Sequence, residues 1–147
     1  MNLCCQHDNS SESKFKRISK YIIKHNPIPL ARPRFTVNRH VWDSQKLLKI
    51  TIAGLLEEQH ANTPLFEGAL HADIIFYMPL PKCSKKTAER LEGSHNCGKT
   101  DLDNLCKFIF DVANGLLYKD DSQVASICCK KLYGNEPRTE LILAEIK

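Results

Sequence analysis

The stretch K-T-D-L-D-N-L-C-K-F-I-F-D-V-A-N-G-L-L-Y-K-D-D, residues 99–121, decides how the rest of the chain is read. Leu105, Phe108, Ile109, Val112 and Leu116 recur at steps of three and four, which predicts a helix with one apolar face turned to a core. Asp103, Lys107 and Asp111 fall at i, i+4 and i+8 on a different stripe. Asn114-Gly115 supplies the stop, with Leu116 and Leu117 as a fraying turn. Asp101 and Asp103 stand two apart before the helix, so in an extended segment their side chains leave on one side. A second acidic pair, Asp120-Asp121, follows it. A buried helix flanked by two acidic clusters can fold them toward one point, where carboxylates repel unless a cation neutralises them. Oxygen ligands without paired His or Cys favour a hard ion, Mg²⁺ or Mn²⁺. A plainer reading stands beside this. Asp103 caps the helix, Asp103 and Lys107 form an ordinary exposed pair, and Asp120-Asp121 belong to a turn.

Outward from this stretch the chain reads as one α+β domain. The Lys20–His25 run is β-like and stops at Pro27 and Pro29. Arg32-Pro33-Arg34-Phe35-Thr36-Val37 is a second extended piece, with two arginines on alternate positions that can meet phosphate. Trp42-Asp43-Ser44 reads as a helix entry, with Asp43 or Ser44 as cap. Leu47, Leu48, Ile52, Leu55 and Leu56 carry the helix to about His60, as scaffold or dimer surface, with Lys46 and Lys49 on its polar side. Leu70–Met78 alternates as a half-buried strand, broken only at Ile75. Residues 82–99 are basic, with Lys85, Lys86 and Lys99, and include a short helix from Ser84 to Leu91. Two strands close the chain, Ser122–Leu132 and Thr139–Ile146. They are joined by the Tyr133–Pro137 turn and expected to pair as an antiparallel hairpin. The order is β-β-α-β-α-α-β-β, for a mixed or mostly antiparallel sheet with packed helices. Residues 1–17 read as a polar, disordered leader ending in Lys14, Lys16 and Arg17, and residues 18–147 as the domain.

Composition narrows the partners. The 147 residues carry a formal charge of +4, a mild basicity that suits a polyanion. No apolar run is long enough to span a membrane, and the N-terminus lacks a signal-peptide core, so reduced thiols and a cytoplasmic location are expected. The seven cysteines are an odd number. Cys83, His95 and Cys97 are poor zinc candidates for want of a second regular pair. Cys106 and Cys128-Cys129 read as small apolar fillers. His40 and His71 read as structural or surface residues.

The words D-L-D-N-L-x-K, then L-Y-K-D-D-S-Q-V, preceded by P-I-P-L-A-R-P-R-F-T and followed by K-K-L-Y-G-N-E-P-R-T-E, resemble the RusA family of Holliday-junction resolvases. The resemblance covers roughly residues 20–146, in order. It implies a Mg²⁺-dependent homodimeric endonuclease that resolves four-way DNA junctions by paired symmetric nicks. The family's metal-binding aspartates match Asp101, Asp103 and Asp121, and its essential lysine matches Lys107. Thr100 departs from the proline that many relatives carry before the first aspartate. Lys107 is expected to reach the phosphate or position the attacking water, with Asp111 orienting it and Asn104 supporting the metal shell. Candidate DNA contacts are Arg32, Arg34, Lys85, Lys86, Lys99 and Arg138, with Lys130 and Lys131 weaker. Neither a membrane nor a nucleotide cofactor is expected. Three rivals are a DxD nucleotide-sugar transferase, a DxD phosphatase and a non-catalytic junction-binding protein derived from a resolvase. The first two set DxD at the end of an apolar strand, which Ser94–Lys99 is not.

Overall fold

A computed structural model describes residues 14–31, 34–35 and 41–147. Arg32, His40 and the first thirteen residues of the leader lie outside the described residues. The elements run β1 (Phe15–Ile23), β2 (Arg34–Phe35), β3 (Val41–Trp42), α1 (Lys46–His60), β4 (Leu70–Pro79), α2 (Lys85–Leu91), α3 (Leu102–Ala113), β5 (Val124–Gly134) and β6 (Arg138–Ile146). The class is α+β, as expected. β1 starts at Phe15, so it takes in residues 15–17. Trp42 belongs to the short β2–β3 pair rather than to the helix entry.

The main sheet has the order β1-β6-β4-β5. β6 is antiparallel to both β1 and β4, while β5 lies parallel to β4. The expected β5–β6 hairpin is therefore absent, because β4 separates the two strands. The reason lies in β4 itself. Leu70, Ala72, Ile74 and Phe76 are buried on one face, and His71 and Asp73 on the other, so β4 is not the half-buried strand its alternation suggests. A strand buried on both faces takes a central place, with a partner on each edge. The short turn after Gly134 then bridges past the end of β4. A Cβ at Gly134 would meet the Tyr77 Cβ at 3.0 Å, so the chain passes close over β4.

α1 and α3 cover the face that carries Tyr21, Ile74, Phe76, Leu141 and Leu143, and these residues join one core with Leu56, Leu105, Phe108 and Ile109. Burying a side chain such as Phe108 stabilises the fold by about 1.5–3 kcal/mol. The expected α3 stripe is buried at Leu105, Phe108, Ile109 and Val112. It shifts at its end. The helix stops at Ala113, and Gly115 takes φ +75°, so the period breaks and Leu117 and Tyr118 enter the core in place of Leu116. On α1, Ile52, Leu56 and His60 face inward, while Leu47 at 81% and Ile50 at 58% remain exposed, so Leu47 does not belong to the core stripe. Arg17 of β1 lies 4.0 Å over the Phe66 ring and donates to the Pro64 carbonyl at 2.7 Å. Among the described residues no helix is long and apolar enough to cross a membrane.

Candidate active site

α3 begins at the acidic motif. Asp101 is the N-cap residue, with extended backbone at φ −72° and ψ 130°, yet its side chain makes no capping hydrogen bond. Its Oδ2 accepts from the Asn104 amide at 3.4 Å, which puts Asn104 in support of the first aspartate. Asp103 stands in the first turn, and Lys107 reaches it at 3.0 Å from one turn further on. Hydrogen bonding from the Lys107 ammonium, with smaller help from nearby backbone N–H groups, holds the Asp103 carboxyl below its usual range. All four carboxylates, Asp101, Asp103, Asp120 and Asp121, are exposed.

Asp120 and Asp121 divide their roles. Asp120 caps a single 3-10 turn, Asp121–Gln123, and its carboxylate accepts from Ser122 N at 2.8 Å. Gln123 closes the capping box through its Oε1, which accepts from Asp120 N at 3.1 Å and Lys119 N at 2.9 Å. Its amide nitrogen donates to the Phe66 and Gly68 carbonyls, fastening the turn to the loop before β4. The D-x-x-Q spacing from Asp120 to Gln123 was the signal for this box. Asp121, the next residue, has no such duty at the cap. Burial, then the charges of Asp121 and Asp111, push the Tyr118 phenol well above its ordinary value, so both carboxylates lie within electrostatic reach of that ring. A cavity of about 510 Å³ adjoins the turn, lined by Leu65, Phe66, Glu67, Lys119, Asp120 and Gln123.

Two supporting roles differ from expectation. Asp111 pairs with Lys49 of α1 at 2.6 Å, and Lys49 also holds Asp43 at 2.8 Å. Asp111 therefore joins the two helices and does not orient Lys107. Asp43 makes its own local turn by accepting from Gln45 N at 2.8 Å, and α1 starts beyond it without a side-chain cap. The segment after β1 is tied to the site as well. Leu30 N donates to Asn104 O at 2.9 Å, and Gln45 clamps Pro29 O and Ala31 N.

The basic candidates stand on different elements. Lys85 and Lys86 are exposed on α2, which buries none of its residues and is capped by Ser84. Lys99 is exposed in the loop before Asp101. Arg34 opens β2. Arg138 lies 3.7 Å over the Tyr77 ring and pairs with Glu140 at 2.9 Å, on the sheet face opposite Phe76 and Leu141.

The family model for "Endodeoxyribonuclease RusA" matches residues 24–144. The chain belongs to the RusA family of endodeoxyribonucleases. The uncharacterized protein YqaN of Bacillus subtilis (strain 168) is 34% identical over 137 residues, spanning 86% of this chain and 96% of its own length. Within the RusA match lie α3, both acidic pairs, Lys107 and every basic candidate named above.

A divalent ion would need carboxylates or other hard oxygen donors here. Among the described residues no three of His, Cys, Asp and Glu stand close enough to enclose one ion. The chemistry nevertheless fits a hard cation of the Mg²⁺ kind. Mg²⁺ keeps several waters and is held by one or two carboxylates plus substrate phosphate, not by an all-protein cage. Exposed carboxylates at Asp101 and Asp103, open to a phosphate, match that mode. Cys83 and Cys97 are exposed, and among the described residues they gather no third ligand.

Proposed function

We propose that this RusA-family chain resolves four-way DNA junctions, as a homodimer, by Mg²⁺- or Mn²⁺-dependent hydrolysis of one phosphodiester per protomer. The observation that carries this reading is the start of α3. There an N-cap aspartate free of capping, a first-turn aspartate and a lysine one turn on are presented together at the surface. Asp101 and Asp103 would hold the ion; Asp121 does not complete a three-carboxylate group with them among the described residues, and would join as third ligand only once ion and DNA are bound. The capping role of Asp120 supports Asp121 over its neighbour. The bound ion would supply charge neutralisation at the scissile phosphate and a more acidic water.

The chain's own residues do the rest. Lys107 carries an ammonium that can donate to a non-bridging phosphate oxygen as negative charge grows there. Its contact with Asp103 holds it beside the proposed ion ligands and favours the charged form of that carboxyl. Lys85, Lys86 and Lys99 lie on exposed backbone ahead of the site and would hold flanking phosphates, with Arg32 and Arg34 as further contacts. Arg138, backed by the Tyr77 ring, would contact DNA from the other sheet face. Two opposed cuts on a two-fold junction are most simply made by two equal sites in a C₂ dimer.

The test is incubation of a labelled synthetic four-way junction with Mg²⁺, beside the Asp103→Asn variant and a linear duplex of the same sequence. Paired nicks confined to the junction and the parent protein are expected. Tight junction binding without cutting, in Mg²⁺ and Mn²⁺ alike, would instead identify a binding protein derived from a resolvase.

A further inference from the structure

Lys131 lies in the middle of β5, opposite Phe76, and so on the sheet face that meets the helices. Its ammonium donates to two carbonyls of the loop before α3, Gly98 O at 2.8 Å and Thr100 O at 2.5 Å. Among the described residues no carboxylate lies within ion-pairing distance of it. The partners of this half-buried cation are thus backbone oxygens.

The loop reaches this point along β5. Gly93 N donates to Tyr133 O at 2.8 Å, Tyr133 N to Ser94 O at 2.9 Å, and Asn96 N to Lys131 O at 2.9 Å. The buried Asn96 side chain then accepts from Gly98 N at 2.8 Å. A Cβ at Gly98 would come within 2.9 Å of that Asn96 oxygen, so a larger residue there would push the Asn96 side chain aside. Beyond Asn96 the tie to the sheet passes from backbone to the Lys131 side chain. The peptide unit is planar, so fixing the Thr100 oxygen also fixes the nitrogen and Cα of Asp101 in the same plane.

We propose that Lys131 is a positioning residue for Asp101: it sets the peptide from which the first aspartate projects, and does not contact DNA. This rests on the functional reading above, and its test separates the two. Lys131→Met removes the donors at similar length, and Lys131→Arg restores some of them.

Hydrogen exchange in the metal-free full chain should rise about tenfold across residues 97–101 in Lys131→Met, while α3 core amides keep their protection. Lys131→Arg should recover part of that protection. Junction cleavage by Lys131→Met should fall about 10–100-fold through turnover, with junction affinity in EDTA changed less than about twofold. In the parent, the Lys131 ammonium should give a slowly exchanging ¹H–¹⁵N signal that Lys131→Arg lacks; this holds even if Lys131→Met folds poorly. A parent with no such signal, unchanged exchange at 97–101, or a loss confined to junction affinity would each overturn the assignment. If the parent itself binds but does not cut, the functional reading fails while exchange still decides the role of Lys131.

Discussion

Lys107 and Asp103 meet at 3.0 Å with both side chains mostly exposed, 60% and 64%. An exposed pair one turn apart contributes little to folding. Lys107→Ala should therefore leave Tm within about 2 °C of the parent. Turnover on a junction should fall about 10²–10³-fold, if the ammonium offsets charge in the transition state. Junction affinity should change far less. The Asp103 carboxyl should titrate higher in this variant, because its depressed pKa depends first on the Lys107 hydrogen bond. The sign follows: the pair is intact above the ordinary value of 3.8 and is lost as pH falls through the lower folded value. Assays at neutral pH see it whole. A carboxyl-resolved NMR titration beside single-turnover cleavage checks both halves.

Asp120 and Asp121 are adjacent and should respond differently. Asp120→Asn keeps an oxygen for Ser122 N, since asparagine caps as well as aspartate, and should cut at close to the parent rate. Asp121→Asn should reduce cutting by about 10²-fold or more if that carboxylate is a metal ligand. The reverse pattern in cleavage assays would move the third ligand to Asp120.

His60 introduces a pH dependence of stability unrelated to cutting. Its Nδ1 lies 2.8 Å from the Tyr21 hydroxyl, and the residue is 7% exposed. Burial, then the nearby Arg17 guanidinium, lowers its pKa below 6.5. The unfolded chain takes up this proton first, so the contribution to stability is present above about 6.5 and is lost as pH falls through the folded value. His60→Gln retains a hydrogen-bonding side chain without the titration. Urea midpoints at pH 7.5 and 5.5 should drop on acidification more in the parent than in the variant.

The thiols should separate by reactivity. Burial, then the neighbouring Cys129, pushes the Cys106 thiol up to about 12, while Cys83 and Cys97 are exposed. At pH 8 iodoacetamide should label Cys83 and Cys97 in the native protein and leave Cys106 unmodified until urea is added. Peptide mapping by mass spectrometry reads this directly.

Phe108 tests the core under the site. It is 2% exposed, and Phe108→Ala should cost about 3–5 kcal/mol in urea unfolding.

How far the chain could be read depended on the range of each interaction. The α3 stripe, its Asn114-Gly115 stop and the short helix near Ser84–Leu91 all depend on neighbours a few positions away, and these were legible. The same locality misled at Leu47: the inward stripe of α1 runs through Leu48, Ile52 and Leu56, and Leu47 falls on the outward side with Ile50 and Thr51. The β5–β6 turn looked like a hairpin because the sequence between the strands is a good turn. Only the double-sided burial of β4, a property of distant partners, inserts a strand between them. Lys131 had no local signal at all. Its partners, Gly98 and Thr100, come from another segment, and a lysine in a strand otherwise reads as a surface charge. Asp111 was likewise assigned to its own helix when its partner, Lys49, stands on α1.

The strand order has a consequence for synthesis. β6 lies between β1 and β4, yet follows both in the chain, so β1 emerges from the ribosome long before the strand it pairs with. β4 and β5 can join as soon as both are out, but β1 must wait, with the α1–sheet core unclosed. Pairings between such distant segments are slow to form and leave apolar surface uncovered meanwhile. A nascent chain is thus a split sheet until β6 slots in, and a stop codon placed before Arg138 would leave β1 without its strand partner, not give a shortened enzyme.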